Sequence, residues 1–317
     1  MAVAFVFPGQ GSQSVGMLST LAGTSPIIES TFAEASQVLG YDLWALCQKG
    51  PEDLLNSTER TQPAMLAAGV ATWRLWRERG GRQPDAVAGH SLGEFSAVVA
   101  AGCMDFRDAV GLVKYRGEVM QSALPIGQGA MAAILGLDDM EVEAACREAA
   151  GTEVVETANF NSPGQVVIAG HNQAVQRALD AARARGARRA VLLPVSAPCH
   201  TSLMRNAASQ LRQRLEQVAV SPAGAIALYG VDQRMHRSAA EIREALVRQL
   251  ATAVHWSATI RTLISAGHDA FVECGPGKVL TGLNRRIDRN RDIRMLALED
   301  PASLDEALAT IAELKPT

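Results

Sequence analysis

"AGHSLGEF", Ala88 to Phe95, sets one serine, Ser91, between two glycines where an apolar run gives way to helix-forming residues. Gly89-His90-Ser91-Leu92-Gly93 fits G-x-S-x-G, the pattern of a strand that turns sharply into a helix and lifts a serine hydroxyl above a sheet. Glycine at both flanks removes the Cβ atoms that would obstruct so tight a bend. The pentapeptide also arises by chance, so its setting has to decide.

Upstream, Ala2 to Phe7 reads as a buried-type strand that runs into a Pro/Gly loop, "FPGQGSQ". A helix carrying Ile28, Phe32 and Val38 ends at Gly40. "QPAMLAAGVATWRLWRERGG" is a long helix stopped by Gly80 and Gly81, and "PDAVAGHS" is the short strand that enters the elbow. Downstream, "LGEFSAVVAAG" and Phe106 to Leu124 are helices. The order then changes. Over roughly residues 127–196 the chain reads strand, helix, strand, strand, helix, strand, the split βαβ or ferredoxin-like series. After His200 come a helix, the strand "AIALYG", two helices through Ala266, the strand "DAFVEC", and a last strand and helix. The expected architecture is a parallel α/β core, residues 1–126 and 197–317, interrupted by a small subdomain at 127–196.

Composition narrows the class. The 317 residues are 48% hydrophobic and 20% charged, ordinary for a globular chain, and the formal net charge of -3 argues against a nucleic-acid binder. Five scattered cysteines without a C-x-x-C suit a reducing compartment. The N-terminus lacks a basic n-region, and no apolar run reaches membrane-spanning length. A cytoplasmic protein is expected, with neither membrane nor nucleic acid as partner.

A serine hydroxyl attacks only when a base takes its proton, and the resulting oxyanion needs donors. The Leu92 N–H, just past the serine, is one natural donor, and Gln10 in the loop after the first strand could supply the second. The alternative reading of that loop is a plain strand-to-helix turn. It does not fit the Rossmann fingerprint, and "GPGKVLTG" lacks the leading glycine of a P-loop. Among six histidines, His200 follows a strand and a Pro-rich loop and opens a helix, where a base could face the elbow. His90 reads as structural or pocket-lining, His255 as packed beside Trp256, and His171, His236 and His268 as solvated. Cys199 reads as a packed thiol. No His or Cys pair has metal-ligand spacing, so no metal is expected. Asp105, Asp138 and Glu156 could orient the histidine, yet none sits in a telling strand-end loop. A neutral carbonyl can do the same.

Seven stretches, "FVFPGQGSQ", "GHSLGEFSA", "RGEVMQ", "NFNSPGQVVIAG", "SAPCHTSLM", "QLATAVHW" and "ECGPGKVLTGL", follow one another along almost the whole chain. In order and spacing they resemble the malonyl-CoA:acyl carrier protein transacylases. The resemblance implies a hydrolase-like parallel-sheet large subdomain with an inserted ferredoxin-like one. It implies Ser91 as nucleophile, His200 as general base and acid, and the N–H groups of Gln10 and Leu92 as oxyanion hole. It assigns Arg116 to the malonyl carboxylate, the Gln249 backbone carbonyl to the histidine, and Asn161 and Met120 to the pocket. The implied partners are malonyl-CoA and acyl carrier protein, with no cofactor and a monomeric enzyme feeding fatty-acid elongation. Guanidinium suits that assignment, since its planar fork matches a carboxylate.

Rival readings remain open: a serine esterase or thioesterase, a stand-alone acyltransferase of polyketide synthesis or malonate decarboxylation, and a catalytically dead scaffold. An acidic carrier would dock on basic residues. "RARGARR" (Arg183, Arg185, Arg188, Arg189) and the arginines from Arg285 to Arg294 are the candidates.

Overall fold

The computed structural model describes residues 2–314 apart from 126, 196, 225 and 231. Among the described residues the strands are β1 (Ala2–Phe7), β2 (Ala86–Gly89), β3 (Gly129–Leu135), β4 (Val155–Ser162), β5 (Gln165–His171), β6 (Arg189–Leu192), β7 (Ala227–Tyr229), β8 (Met235–His236), β9 (His268–Glu273) and β10 (Arg294–Ala297). They form two sheets. One has six strands in the order β10-β9-β1-β2-β7-β8, parallel except for β8. The other is antiparallel, in the order β4-β5-β3-β6. The expected α/β architecture with a ferredoxin-like second sheet is therefore present. The residues at the expected junctions, 126 and 196, lie outside the described residues.

Each sheet follows from its sequence. β1, "AVAFVF", is apolar without alternation because helices cover both faces of a central parallel strand. The antiparallel sheet packs one face on the helices Asp139–Ala150 and Asn172–Ala184, around a core of its own that includes Ile134, Val142, Ile168 and Leu179. Its other face contributes Met131, Val167 and Ala169 to the core of the large sheet. Aspartate caps start the helices Phe106–Gln121 and Asp139–Ala150, among others: the Asp105 side chain accepts from Arg107 and Asp108 N–H, and that of Asp138 accepts from Glu141 N–H.

Some elements differ from expectation. The long helix begins at Thr58, ahead of the anticipated Gln62, and carries Pro63 inside it. The stretch after "ECGPGK" forms a further helix, Val279–Ile287, whose start is fixed by the buried Glu273 accepting from Leu280 and Thr281 N–H. His236 and His268 were expected in solvent and are instead buried: His236 pairs with Asp232 at 3.0 Å, and His268 Nδ1 donates to the Leu263 carbonyl. His255 stacks on Phe160 at 4.8 Å, while the Trp256 and His90 rings meet in a T-shaped arrangement at 5.6 Å. No helix among the described residues is long and apolar enough to cross a membrane.

Candidate active site

Ser91 sits between the end of β2 and the helix Gly93–Ala100, with φ at 52°. A left-handed backbone at a residue other than glycine costs on the order of 1–3 kcal/mol and persists only where its surroundings enforce it. They do so here. A Cβ at Gly89 would lie 2.0 Å from Glu94 N, and one at Gly93 would lie 2.0 Å from the Phe7 carbonyl oxygen. The two glycines thus let the helix start pack against β2 and the end of β1, which answers why the serine is bracketed by them.

His200 comes from far along the chain. Its own backbone is left-handed at φ 64°, and its N–H donates to the Leu250 carbonyl. Ser91 Oγ and His200 Nε2 are 2.7 Å apart, and His200 Nδ1 lies 2.6 Å from the Gln249 carbonyl oxygen. A carbonyl only accepts, so Nδ1 carries the proton and Nε2 keeps a lone pair for the serine O–H. Burial, followed by the nearby Arg116 charge, pushes the His200 pKa down to about 3. The imidazole is therefore neutral and able to accept a proton at ordinary pH. The three candidate acids are engaged elsewhere. Asp105 and Asp138 cap helices, and Glu156 accepts from the N–H and hydroxyl of Ser202.

Arg116 lies on the helix Phe106–Gln121 and is only 1% exposed. Gly117 brings that helix close to the start of the long helix, where a Cβ would meet the Glu59 Cα at 2.8 Å. Arg116 Nη1 donates to Gln62 Oε1 at 2.8 Å, and Nη2 donates to Gln249 Oε1 at 3.0 Å and Ser91 Oγ at 3.3 Å. Its Nε is buried with no acceptor among the described residues. Burial lowers its pKa to about 10, which leaves it charged at neutral pH. Such a cation next to a nucleophile favours a substrate that brings its own carboxylate.

A cavity of about 240 Å³ joins these groups. Gln10, Leu92, Arg116 and Met120 line it, as do Asn161 and Cys199. Neither the Gln10 nor the Leu92 N–H has an acceptor among the described residues. His90 Nε2 donates to Asn161 Oδ1 at 2.8 Å, which ties the elbow to β4. Burial pushes the Cys199 thiol up to about 11, so it is no rival nucleophile. Sequence reasoning passed over Gln62 and Glu94, whose side chains meet Arg116 and Gln249 respectively. Glu94 lies inside a quoted motif, yet only the fold reveals its partner.

Comparison with known proteins agrees with this geometry. Residues 4–297 match the acyl transferase domain family. The malonyl CoA-acyl carrier protein transacylase of Salmonella typhimurium is 53% identical over 305 residues, covering 96% of this chain and 98% of the relative. The chain belongs to the malonyl CoA-acyl carrier protein transacylase family. The Bacillus subtilis transacylase is 40% identical over 98% of each chain. Among solved structures, a transacylase of this family from Xanthomonas oryzae superposes with a TM-score of 0.94 at 52% identity, covering 98% of this chain and 99% of that one. A malonyl-transacylase in complex with its type II polyketide acyl carrier protein reaches 0.95 at 51% identity, covering 98% and 100%.

The two arginine clusters fare differently. Arg183 is paired with Asp180, and Arg185 with Glu141 and Glu148, which leaves Arg188 and Arg189 exposed. Arg189 opens β6 opposite Leu135, which on its other side pairs with the cavity residue Gln165. Arg285, Arg289, Arg291 and Arg294 line a separate cavity of about 400 Å³. That cavity lies by the start of the edge strand β10, three places from β2 in the sheet order.

Proposed function

We propose that this acyltransferase moves a malonyl group from malonyl-CoA to the phosphopantetheine thiol of an acyl carrier protein, through a malonyl ester on Ser91, to supply fatty-acid elongation. The observation that carries the reading is Arg116: a buried guanidinium 3.3 Å from the serine oxygen, with one nitrogen that has no acceptor among the described residues. An esterase for neutral acyl groups gains nothing from such a cation, whereas a malonyl carboxylate needs one to enter a dry pocket.

The steps follow from the geometry. His200 Nε2 takes the Ser91 proton as Oγ attacks the thioester carbonyl, and the Leu92 and Gln10 N–H groups take up the oxyanion. The intermediate collapses, the C–S bond breaks, and the His200 proton passes to the CoA sulfur. The carrier thiol then repeats the sequence in reverse roles and regenerates the serine. Met120 and Asn161 shape the acyl pocket. We take residues 127–196 as an inserted subdomain that walls the site, with Arg188 and Arg189 as docking points for an acidic carrier. We take the enzyme to act as a monomer. Five unpaired, buried cysteines fit a reducing cytoplasm.

The test is intact-mass measurement. Malonyl-CoA alone adds one malonyl mass, an apo-to-holo comparison of carrier protein shows that only the holo form removes it, and Ser91→Ala prevents it. A label found on Cys199 would overturn the serine mechanism.

A further inference from the structure

Glu94 is a buried carboxylate, 1% exposed, in the first turn of the helix that follows the nucleophile. A negative charge there is a cost to any reaction that develops an oxyanion nearby and takes an anionic substrate. Its neighbours show what it faces. Glu94 Oε2 accepts from Gln249 Nε2 at 2.8 Å, and the same amide's Oε1 accepts from Arg116 Nη2 at 3.0 Å. Gln249 Nε2 also reaches the Ser91 carbonyl at 3.3 Å. One amide therefore stands between carboxylate and guanidinium, with its dipole aligned to both charges. On the far side, a side chain at Gly230 would lie within 3.0 Å of Glu94 Oε1, His236 Nε2 and Asp232 Oδ1. Asp232 in turn pairs with Arg248 at the surface.

A direct Glu94–Arg116 pair would occupy the guanidinium and shut out the substrate. A guanidinium with no counter-charge would hold a malonyl carboxylate too firmly to release it. A spaced counter-charge lies between these extremes. We infer that Glu94, acting through Gln249, is a positioning residue that moderates the hold of Arg116 on the malonyl group, so that the malonyl-Ser91 ester remains transferable to the second thiol. The inference rests on the malonyl reading of Arg116. The reaction concerned is the reversible exchange of Ser91 hydroxyl and malonyl-CoA for malonyl ester and free CoA.

The equilibrium constant of that exchange is read by intact mass at fixed malonyl-CoA to CoA ratios. Glu94→Gln keeps a hydrogen-bond acceptor for Gln249 and removes only the charge. It is expected to raise the malonyl constant by about tenfold, the size of one charge acting across a few ångströms of polar interior. The constant for acetyl-CoA, which brings no carboxylate, stays within about twofold because Coulomb coupling needs a second charge. Glu94→Asp restores the charge and most of the wild-type value, and Glu94→Ser, also neutral, predicts the same rise should Glu94→Gln fold poorly. A malonyl constant that is unchanged or lowered, or equal shifts for both acyl groups, overturns the inference. Arg116→Ala separates the two levels. If it leaves the malonyl-to-acetyl ratio unchanged, the malonyl reading falls and this inference with it. If it shifts the ratio while Glu94→Gln does not, only the role of Glu94 falls.

Discussion

The six-stranded and four-stranded sheets border the same cavity but bring different things to it. Ser91, His200, Arg116, Gln62 and Gln249 all belong to the large-sheet side, and they are fixed to one another by bonds of 2.6 to 3.3 Å, the shortest of them to the Gln249 main-chain carbonyl. The small sheet presents Met131, Ala133 and Val167 together with Asn159, Asn161 and Gln165, side chains that shape the space, and its Asn161 bonds to His90 beside the nucleophile. One side carries the chain of contacts among the reacting groups, and the other bounds the space around them. Substitutions should therefore cost rate on the first side, and selectivity or carrier affinity on the second.

The sharpest way to break this contrast is at His200. His200→Ala should slow acylation by roughly 10²- to 10⁴-fold, the usual worth of a positioned proton transfer. Stopped-flow or quenched acylation with malonyl-CoA measures it, and a variant keeping most of its rate would move the base elsewhere, to His90 first. The wild-type pH profile sharpens the same point. Because burial lowers the folded pKa, the neutral form persists below the usual imidazole value. Acylation should thus hold steady from pH 7 to pH 5.5 and fail only toward the lowered value; an acid limb centred near 6.5 would contradict the buried geometry.

Arg116→Ala comes next. It leaves elbow and base in place, so malonyl kcat/KM should fall by about 10²-fold, the worth of a lost charge-assisted contact, while acetyl transfer falls little or rises. Arg116→Lys should recover only part, since an ammonium lacks the planar fork. An unchanged ratio of the two thioesters would make this arginine merely structural.

The smallest effect belongs to the small sheet. Arg188→Glu with Arg189→Glu should raise the carrier KM several-fold and flatten its salt dependence, with the first half-reaction barely changed. The same reversal at Arg289 and Arg291 should do nothing to carrier kinetics, given their place by the edge strand β10, away from β2. If the outcome is inverted, docking lies on the far cluster.

How much of this could be read from the sequence depended on distance along the chain. The elbow was legible because its constraint is local: two glycines within four residues of each other relieve a single bend. The ferredoxin-like series was legible because strand and helix periods alternate clearly there. The polar contacts were not. Gln62 reaches Arg116 across 54 residues, and Glu94 reaches Gln249 across 155. No local pattern marks such partners. His236 and His268 read as solvated because their sequence neighbours are polar, yet β8 pairs one into the sheet edge and β9 buries the other. The arginine clusters looked alike as charge runs, and only the fold showed that Glu141, Glu148 and Asp180 neutralise half of the first.

The histidine is steadied by the main chain of Gln249, and this bears on how such a pocket can change. Where a carboxylate side chain orients the base, one codon change removes it. Here every amino acid at 249 brings the same carbonyl, so the proton-handling pair has no third member to lose by substitution. The side chain at that position, by contrast, belongs to the carboxylate end, where it touches Arg116. A lineage, or an engineer, can rewrite positions 116 and 249 together to suit a different acyl group while the nucleophile and its base keep running. Retargeting and catalysis are thus inherited on separate atoms of one residue.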